Sequence, residues 1–384
     1  MSKIKTTDEF DNFSKNFQKE HTMPYAFGIG ICFEDEKGKP IAHKWLALSV
    51  DENLGTASVL MKSMGIKMEG NYPQYYKMNE FIAIDIEKYF SPFENDGKYH
   101  ENIKALEYTQ YIKYKRTNAV LIFYPTQDFF GGMISSNADA HFRLAAISRL
   151  KFKPNTICLD NLLNVLPKNV YLSNGDVCSI DFWNQEEFIK GNSQVQIQNI
   201  DQIPFLIWGA PIPPKVRIAS IDCARLGAYL SPGTTIMPYG FVNFNAGTLG
   251  KSMVEGTISA GTTIDDGTDI GARSGFLGTL SGGNTTKLSA GKNCLIGAES
   301  QCGVILGDNC VIATGTCFAQ GTPILEIDPN IKELDNPSRI IRIGKAKDYN
   351  GKSDLTFWRN SITGALEVFN KTNKHSLNEE LHKN

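Results

Sequence analysis

The chain has 384 residues, 41% of them hydrophobic and 21% charged, and its 39 Lys+Arg against 41 Asp+Glu leave a formal net charge of −2. That length allows two or three domains with a sizeable core, and the composition excludes a disordered chain. The balanced charge gives no electrostatic footprint for nucleic acid or for an anionic membrane surface.

No apolar run approaches the ~20 residues of a membrane span. The N-terminus, Met1-Ser-Lys-Ile-Lys-Thr-Thr-Asp-Glu9, has no apolar stretch and turns acidic at once, so no secretory signal is expected. Eight cysteines contain no C-x-x-C pair, which argues against a zinc knuckle or a redox dithiol. Free thiols in a reducing, cytoplasmic setting are the expectation.

The first part of the chain reads as mixed α/β. The apolar stretches 25–33 and 119–124 suit strands. Residues 137–151 suit a helix with Phe142, Ala145, Ala146 and Leu150 along one face. Gly28-x-Gly30 lacks the third glycine and the following helix of a dinucleotide fingerprint; a strand packed closely against a neighbour explains it better. A proline-rich stretch, Pro204 and then Pro211, Pro213 and Pro214, marks a linker. Three parts result: an N-terminal α/β domain over 1–205, a repeat region over 216–325 and a C-terminal β extension over 326–384.

Of the 34 glycines, 19 fall between residues 216 and 325. Glycine costs backbone entropy, so this density needs a structural use. Stepping by six from Ile218 gives Ala224, Leu230, Ile236 and Val242. Stepping by six from Ile258 gives Ile264, Ile270, Phe276, Gly282, Leu288, Cys294, Ser300, Leu306, Ile312, Phe318 and Ile324. Three residues after these positions stand Gly227, Gly233, Gly261, Gly267, Gly291, Gly297, Gly303, Gly315 and Gly321, with Asn245 and Asn309 at two others. Gly and Asn accept positive φ, so each unit of six is a short strand plus a turn. A fixed short period means a solenoid, here a parallel β-helix of about six triangular turns. The spacing does not give its hand.

The phase breaks between Val242 and Ile258, and residues 243–257 are expected to bulge or reset the register. Irregularities in a solenoid are where concave sites are built. Glu255 lies in the break. A carboxylate in a partly buried groove serves as base or nucleophile; a solvated glutamate beside a loop is the plainer reading of the spacing alone.

The strings Pro232-Gly-Thr-Thr-Ile-Met-Pro-Tyr-Gly-Phe-Val-Asn-Phe-Asn-Ala-Gly-Thr248, Met253-Val-Glu-Gly-Thr-Ile-Ser-Ala-Gly261 and Gly278-Thr-Leu-Ser-Gly-Gly283 resemble tetrahydrodipicolinate N-succinyltransferases, in the longer form found in actinobacteria. The tail agrees, with residues 355–368 followed by Leu377-Asn-Glu-Glu-Leu-His382. The resemblance implies a mainly β fold, a left-handed parallel β-helix assembled as a homotrimer with active sites between subunits. It implies transfer of succinyl from succinyl-CoA, as co-substrate, to the amino group of ring-opened tetrahydrodipicolinate, on the diaminopimelate route to lysine, with no resident cofactor required. The catalytic carboxylate falls on Glu255, as an acyl-anhydride nucleophile or as the base for direct amine attack.

By the same resemblance, acyl-CoA contacts fall on Gly275, Ala298, Ala313, Thr314, Gly321, Lys345, Trp358, Arg359, Asn360 and Ser361. Small residues on a coil edge let the pantetheine arm lie along backbone, and Lys345 and Arg359 suit its phosphates. Two positions depart from the family pattern. Thr257 stands where an arginine often contacts the donor. A magnesium ion on the trimer axis, held in some members by an Asp and a Glu, would here find Asp222 and Tyr239.

The six histidines, His21, His43, His100, His141, His375 and His382, all lie outside the coil. That disfavours a three-histidine zinc site and a coil histidine as general base. The alternatives are an acetyl-CoA-dependent transferase acting on the same or a related acceptor, and a non-catalytic trimeric scaffold with Glu255 structural.

Overall fold

The computed structural model describes residues 3–78, 86, 88–93, 100–111, 116–187, 194–278 and 286–370. They form two compact units. The first comprises residues 1–146, 157–204 and 208–210; the second comprises 147–156, 205–207 and the chain from 211 onward.

In the first unit an antiparallel sheet has the strand order Pro40–Val50, Ala26–Glu34, Thr117–Tyr124, Gln74–Lys77. The two strands expected from sequence are its centre. On one side Phe27, Ile29, Leu121 and Phe123 pack with Phe10, Val59 and Leu60 from the helices Thr7–Glu20 and Leu54–Met64. On the other, Trp45 and Tyr124 meet Phe142 of the helix Asn137–Ser148. A Cβ at Gly28 would lie 2.8 Å from the Trp45 ring, and one at Gly30 would lie 2.5 Å from the Lys44 carbonyl oxygen. Close strand packing therefore accounts for Gly-x-Gly. The helix stops before Leu150, which takes a φ of 61° instead of joining the apolar face.

The second unit is a three-faced prism of parallel strands, each two or three residues long. Its first face carries Ile218, Ile236, Val254, Ile270, Ile296 and Ile312 inward. The second carries Val242, Ile258, Phe276, Cys302 and Phe318, with Ala224 bridging Val242. The third carries Leu230, Thr248, Ile264 and Ala290, with Leu306 bridging Ala290. Most of these side chains are fully buried in one continuous core. Each buried aliphatic side chain contributes roughly 1.5–3 kcal/mol, but only once its neighbouring turns cover it.

The phase break differs from the expected bulge. From Val242 to Ile258 the chain makes two further inward placements, Thr248 and Val254, in steps of six, six and four. The irregularity is a corner two residues short, Glu255-Gly256-Thr257. Thr248 hid it, because its inward side chain is a hydroxyl. That hydroxyl is satisfied by the Thr234 hydroxyl at 2.6 Å, which is how a polar residue occupies a core position.

The expected phase also slips over 282–300. Gly282 lies outside the described residues. Leu288, Cys294 and Ser300 are buried but sit two positions before the inward residues Ala290, Ile296 and Cys302. Extra residues between Phe276 and Ala290 shift the phase, and a second four-residue step, Cys302 to Leu306, restores it. This second short corner is filled: the Ile305 amide donates to Asn350 Oδ1 at 2.9 Å and the Gly351 amide to the Ile305 carbonyl at 2.9 Å.

The tail continues the solenoid. Leu355–Arg359 pairs in parallel with Val311–Ile312, and Phe357 enters the coil's own core, stacked on Phe318 at 5.2 Å. Leu366–Asn370, Pro323–Ile327 and Ile340–Lys345 then extend the first face.

Left-handed backbone recurs three residues after the inward position. Gly227, Gly233, Gly261, Gly267 and Gly315 take it, as do Asn245, Asn293 and Asn309. Gly291, Gly297 and Gly303 serve differently. They directly follow inward residues, and at Gly297 a Cβ would lie 2.6 Å from the Thr314 amide nitrogen of the next turn.

Candidate active site

The edge between the first and second faces stacks one corner per turn: Met237–Gly240, the short corner at 255–257, Gly271–Ser274, Gly297–Ser300 and Ala313–Thr316. Where the corner is two residues short, the edge is notched. The notch is a hollow of about 440 Å³ lined by Pro238, Tyr239, Glu255, Ala272 and Arg273. Two glycines allow the backbone to close up behind it. A Cβ at Gly240 would lie 2.3 Å from the Val254 carbonyl oxygen, and one at Gly256 would lie 2.1 Å from that of Ser274.

Glu255 is half-buried in this hollow. Its amide donates to the Ile270 carbonyl at 2.8 Å, and its own carbonyl accepts from the Arg273 amide at 3.3 Å. The backbone is thus fixed on both sides. Among the described residues no hydrogen bond engages its carboxylate, which is left free for chemistry. Arg273 faces the same hollow and its guanidinium is ion-paired with Glu299 on the following turn. Three residues on this edge, Tyr239, Arg273 and Glu299, take the left-handed conformation with φ of 69°, 55° and 60° at the position Gly and Asn fill elsewhere. Pro238, Ala272 and Arg273 were not singled out from sequence. The signal that finds Arg273 is its place as an exception to the Gly/Asn spacing.

The other expected positions divide. Ala298, Ala313 and the exposed Thr314 stand on the notched edge, and Gly275 starts the strand beside Thr257. A Cβ at Gly275 would lie 2.5 Å from the Thr257 carbonyl oxygen. Thr257 itself is exposed. Arg359 is exposed too; its Nη1 donates to Gly364 O at 2.8 Å and its Nη2 to Cys317 O at 3.2 Å, which fixes it near the end of this edge. Gly321 and Lys345 are exposed and lie together at the next edge, where the Ala346 amide donates to Thr322 O at 2.9 Å.

Trp358 and Asn360 are committed to the framework. The Trp358 indole donates to Glu367 Oε2 at 2.8 Å. The fully buried Asn360 donates from Nδ2 to Glu367 Oε1 at 2.7 Å and to Leu334 O at 2.8 Å. Arg339 pairs with the same carboxylate. The Asn360 side chain therefore holds its turn, and Arg359 and Ser361, exposed on either side of it, are the members of this string open to a ligand through their side chains. The family-like strings at 279–283 and 377–382, with His375 and His382, lie outside the described residues.

Asp222 is exposed on a short helical turn, Ile221–Cys223. Tyr239 offers a phenol, not a second carboxylate, and among the described residues no group of three or more His, Cys, Asp or Glu is gathered. Asp222 thus supplies one carboxylate per chain, and no step below is routed through a metal. Among the described residues no histidine belongs to the coil; His141 is buried in the first unit with Nδ1 on the Asn137 carbonyl at 3.0 Å.

Residues 287–317 match a family profile described as the hexapeptide repeat of succinyl-transferase. The chain is 37% identical over 250 residues to a 2,3,4,5-tetrahydropyridine-2,6-dicarboxylate N-succinyltransferase of Vibrio cholerae, covering 65% of this chain and 71% of that one. It is 38% identical over 252 residues to the enzyme of that name from Pseudomonas aeruginosa, covering 65% and 70%. A solved structure from Campylobacter jejuni, named as a 2,3,4,5-tetrahydropyridine-2-carboxylate N-succinyltransferase, superposes over the whole of both chains with a TM-score of 0.80 at 26% identity. The three-faced coil is thus the left-handed parallel β-helix of the hexapeptide-repeat acyltransferases, preceded by an α/β domain. The chain belongs to the 2,3,4,5-tetrahydropyridine-2,6-dicarboxylate N-succinyltransferase family.

Proposed function

We propose that this protein moves the succinyl group of succinyl-CoA to the amino group of ring-opened tetrahydrodipicolinate, giving N-succinyl-2-amino-6-oxopimelate and CoA on the diaminopimelate route to lysine. The observation that carries this reading is the unpartnered Glu255 carboxylate in a notch made by removing two residues from one corner. In direct attack, Glu255 takes a proton from the substrate ammonium, the freed amine adds to the thioester carbonyl, and the CoA thiolate departs with the second proton that the nitrogen sheds. In the covalent route a Glu255 oxygen displaces the thiolate, the thiolate takes a proton from the substrate ammonium, and the amine then cleaves the anhydride, its second proton passing to the restored carboxylate. The notch holds the group that either route needs.

The donor lies along the notched edge. Gly275, Ala298 and the adjacent pair Ala313 and Thr314 put small residues on three successive turns, so a pantetheine arm can run against backbone toward Glu255. Arg359 and Ser361 close the far end of that path, and Lys345 beside Gly321 meets the phosphates from the neighbouring edge. The framework groups Trp358 and Asn360 keep Arg359 and Ser361 in place. The enzyme acts as a cytoplasmic homotrimer, in which a second subunit completes the wall of a hollow that one chain leaves open.

The test is CoA release, followed with a thiol reagent, using tetrahydrodipicolinate with succinyl-CoA or acetyl-CoA. Acceptor-dependent release with strong preference for succinyl-CoA is the expected result. Preference for acetyl-CoA would change the donor. Release with neither would leave a β-helix scaffold.

A further inference from the structure

We infer that Arg273 binds a substrate carboxylate in the Glu255 notch; this rests on the functional reading above and adds to it the residue that reads the charged end of a substrate. Two independent observations point to it. The first is position. Arg273 and Glu255 line one hollow, and they belong to adjacent turns joined by the bond from the Arg273 amide to the Glu255 carbonyl. An acyl or acceptor chain that presents its reacting atom to Glu255 therefore has a guanidinium one turn away.

The second is backbone conformation. Arg273 has a φ of 55° at a corner position where Gly227, Gly233, Gly261, Gly267 and Gly315 serve without strain. A long side chain held in left-handed backbone persists where surrounding structure or function requires it. Here the side chain makes no core contact: Arg273 is 76% exposed in its ion pair and Glu299 51%. Exposed pairs of this kind contribute little to stability, so packing does not explain the residue. Because the pair is exposed and Arg273 lines the hollow, an arriving carboxylate can compete with Glu299 for the guanidinium. Arginine suits that role because its planar fork grips a carboxylate with two hydrogen bonds. Thr257, exposed on the short corner itself, cannot supply the charge.

Both proposed substrates carry a carboxylate near the reacting group, and the experiment separates them. Arg273→Gln and Arg273→Lys are compared with the wild-type chain using succinyl-CoA and butyryl-CoA as donors, whose acyl groups differ in the terminal charge. Arg273 is exposed, so neither variant disturbs the core. Arg273→Gln should raise the KM of the recognised substrate by about tenfold to a hundredfold with kcat little changed, and Arg273→Lys should recover part of the loss. A rise for succinyl-CoA with butyryl-CoA unaffected assigns the donor carboxylate. A rise for tetrahydrodipicolinate with both donors alike assigns the acceptor. Unchanged KM values for both substrates would overturn the inference. Calorimetric binding of succinyl-CoA, CoA and pimelate to wild type and Arg273→Gln tests the same contact without turnover: the variant should lose the preference for succinyl-CoA over CoA, or lose pimelate. Equal binding by the two proteins would overturn the inference. Absence of CoA release by wild type with any donor fails the functional reading instead, and is seen before any variant is made.

Discussion

The Arg273 amide donates to the Glu255 carbonyl at 3.3 Å, so that a carboxylate on a shortened corner and a guanidinium on a strained one are neighbours across a single backbone bond. That relationship follows from one deletion in the repeat. A six-residue step would have carried the chain past this point as a flat edge. The four-residue step draws Gly256 under Ser274 and leaves room above it. Chemistry and architecture at this edge are therefore the same feature, and they can be tested separately.

Glu255→Gln keeps the size of the side chain and removes the charge. CoA release should fall by about a hundredfold or more, the scale of a lost general base, while circular dichroism and oligomeric state stay as in wild type. Activity within a few-fold of wild type would return Glu255 to the role of a solvated edge residue.

Gly256→Ala attacks the architecture. Its Cβ would lie 2.1 Å from a carbonyl oxygen of the next turn, a clash with backbone that no rotamer relieves. Overpacking of this kind costs roughly 1–3 kcal/mol, so thermal unfolding should shift down by several degrees. An unchanged midpoint would mean that the corner is looser than described.

Arg273→Gly should separate stability from binding. Glycine removes the cost of left-handed backbone, roughly 1 kcal/mol, and sacrifices only an exposed ion pair. The variant should be at least as stable as wild type in urea while losing substrate affinity. A clear loss of stability would show that the Arg273–Glu299 pair is structural.

Much of this was legible in the sequence, for a physical reason. A β-helix repeats its demands every turn, so Ile236, Ile258, Ile264, Ile270 and Ile312 announce themselves by spacing. Legibility failed where a demand was met by an unusual residue. Thr248 occupies a core position as a hydroxyl, so in sequence the short corner looks like surplus chain. Cys294 and Ser300 are buried like inward residues without being them, so the phase ran two positions off until the step from Cys302 to Leu306 corrected it. Glu255 stands out in the sequence through the break itself and the strings around it, and the structure puts it on the short corner. Arg273 is harder to read because it occupies, with a φ of 55°, a corner position that glycine or asparagine fills elsewhere. Trp358 and Asn360 show the converse: a family-like string whose side chains are turned to Glu367.

Lys345→Ala tests donor binding away from the chemistry. Lys345 is exposed, with its backbone fixed by a bond from its amide to Asp348 Oδ2 at 3.0 Å, so truncation should leave the fold intact. Loss of a phosphate contact weakens ground and transition states alike, which raises the KM for succinyl-CoA more than it lowers kcat. An unchanged donor KM would remove Lys345 from the binding edge.

The N-terminal unit makes a prediction of its own through two buried histidines. His43 donates from Nδ1 to Asn137 Oδ1 at 2.8 Å and accepts at Nε2 from the Tyr75 hydroxyl at 3.0 Å. The direction is fixed because the Asn137 amide nitrogen is already spent on the Ile41 carbonyl. His141 gives Nδ1 to the Asn137 carbonyl, and its buried Nε2 has no partner. Both rings are thereby neutral. Burial, together with the neighbouring His141, pushes His43 down to about 3, and burial pushes His141 down to about 4. Groups depressed in the folded state bind protons sooner when unfolded. Stability is therefore fully present above the ordinary histidine value of 6.5 and is lost as pH falls from there toward 4, by roughly 1.4 kcal/mol per pH unit for each ring. Urea midpoints measured between pH 7.5 and 5 should fall with decreasing pH before most carboxylates titrate. His141→Gln should flatten part of that slope. A midpoint independent of pH across this range would mean that the two rings are protonated in the folded chain.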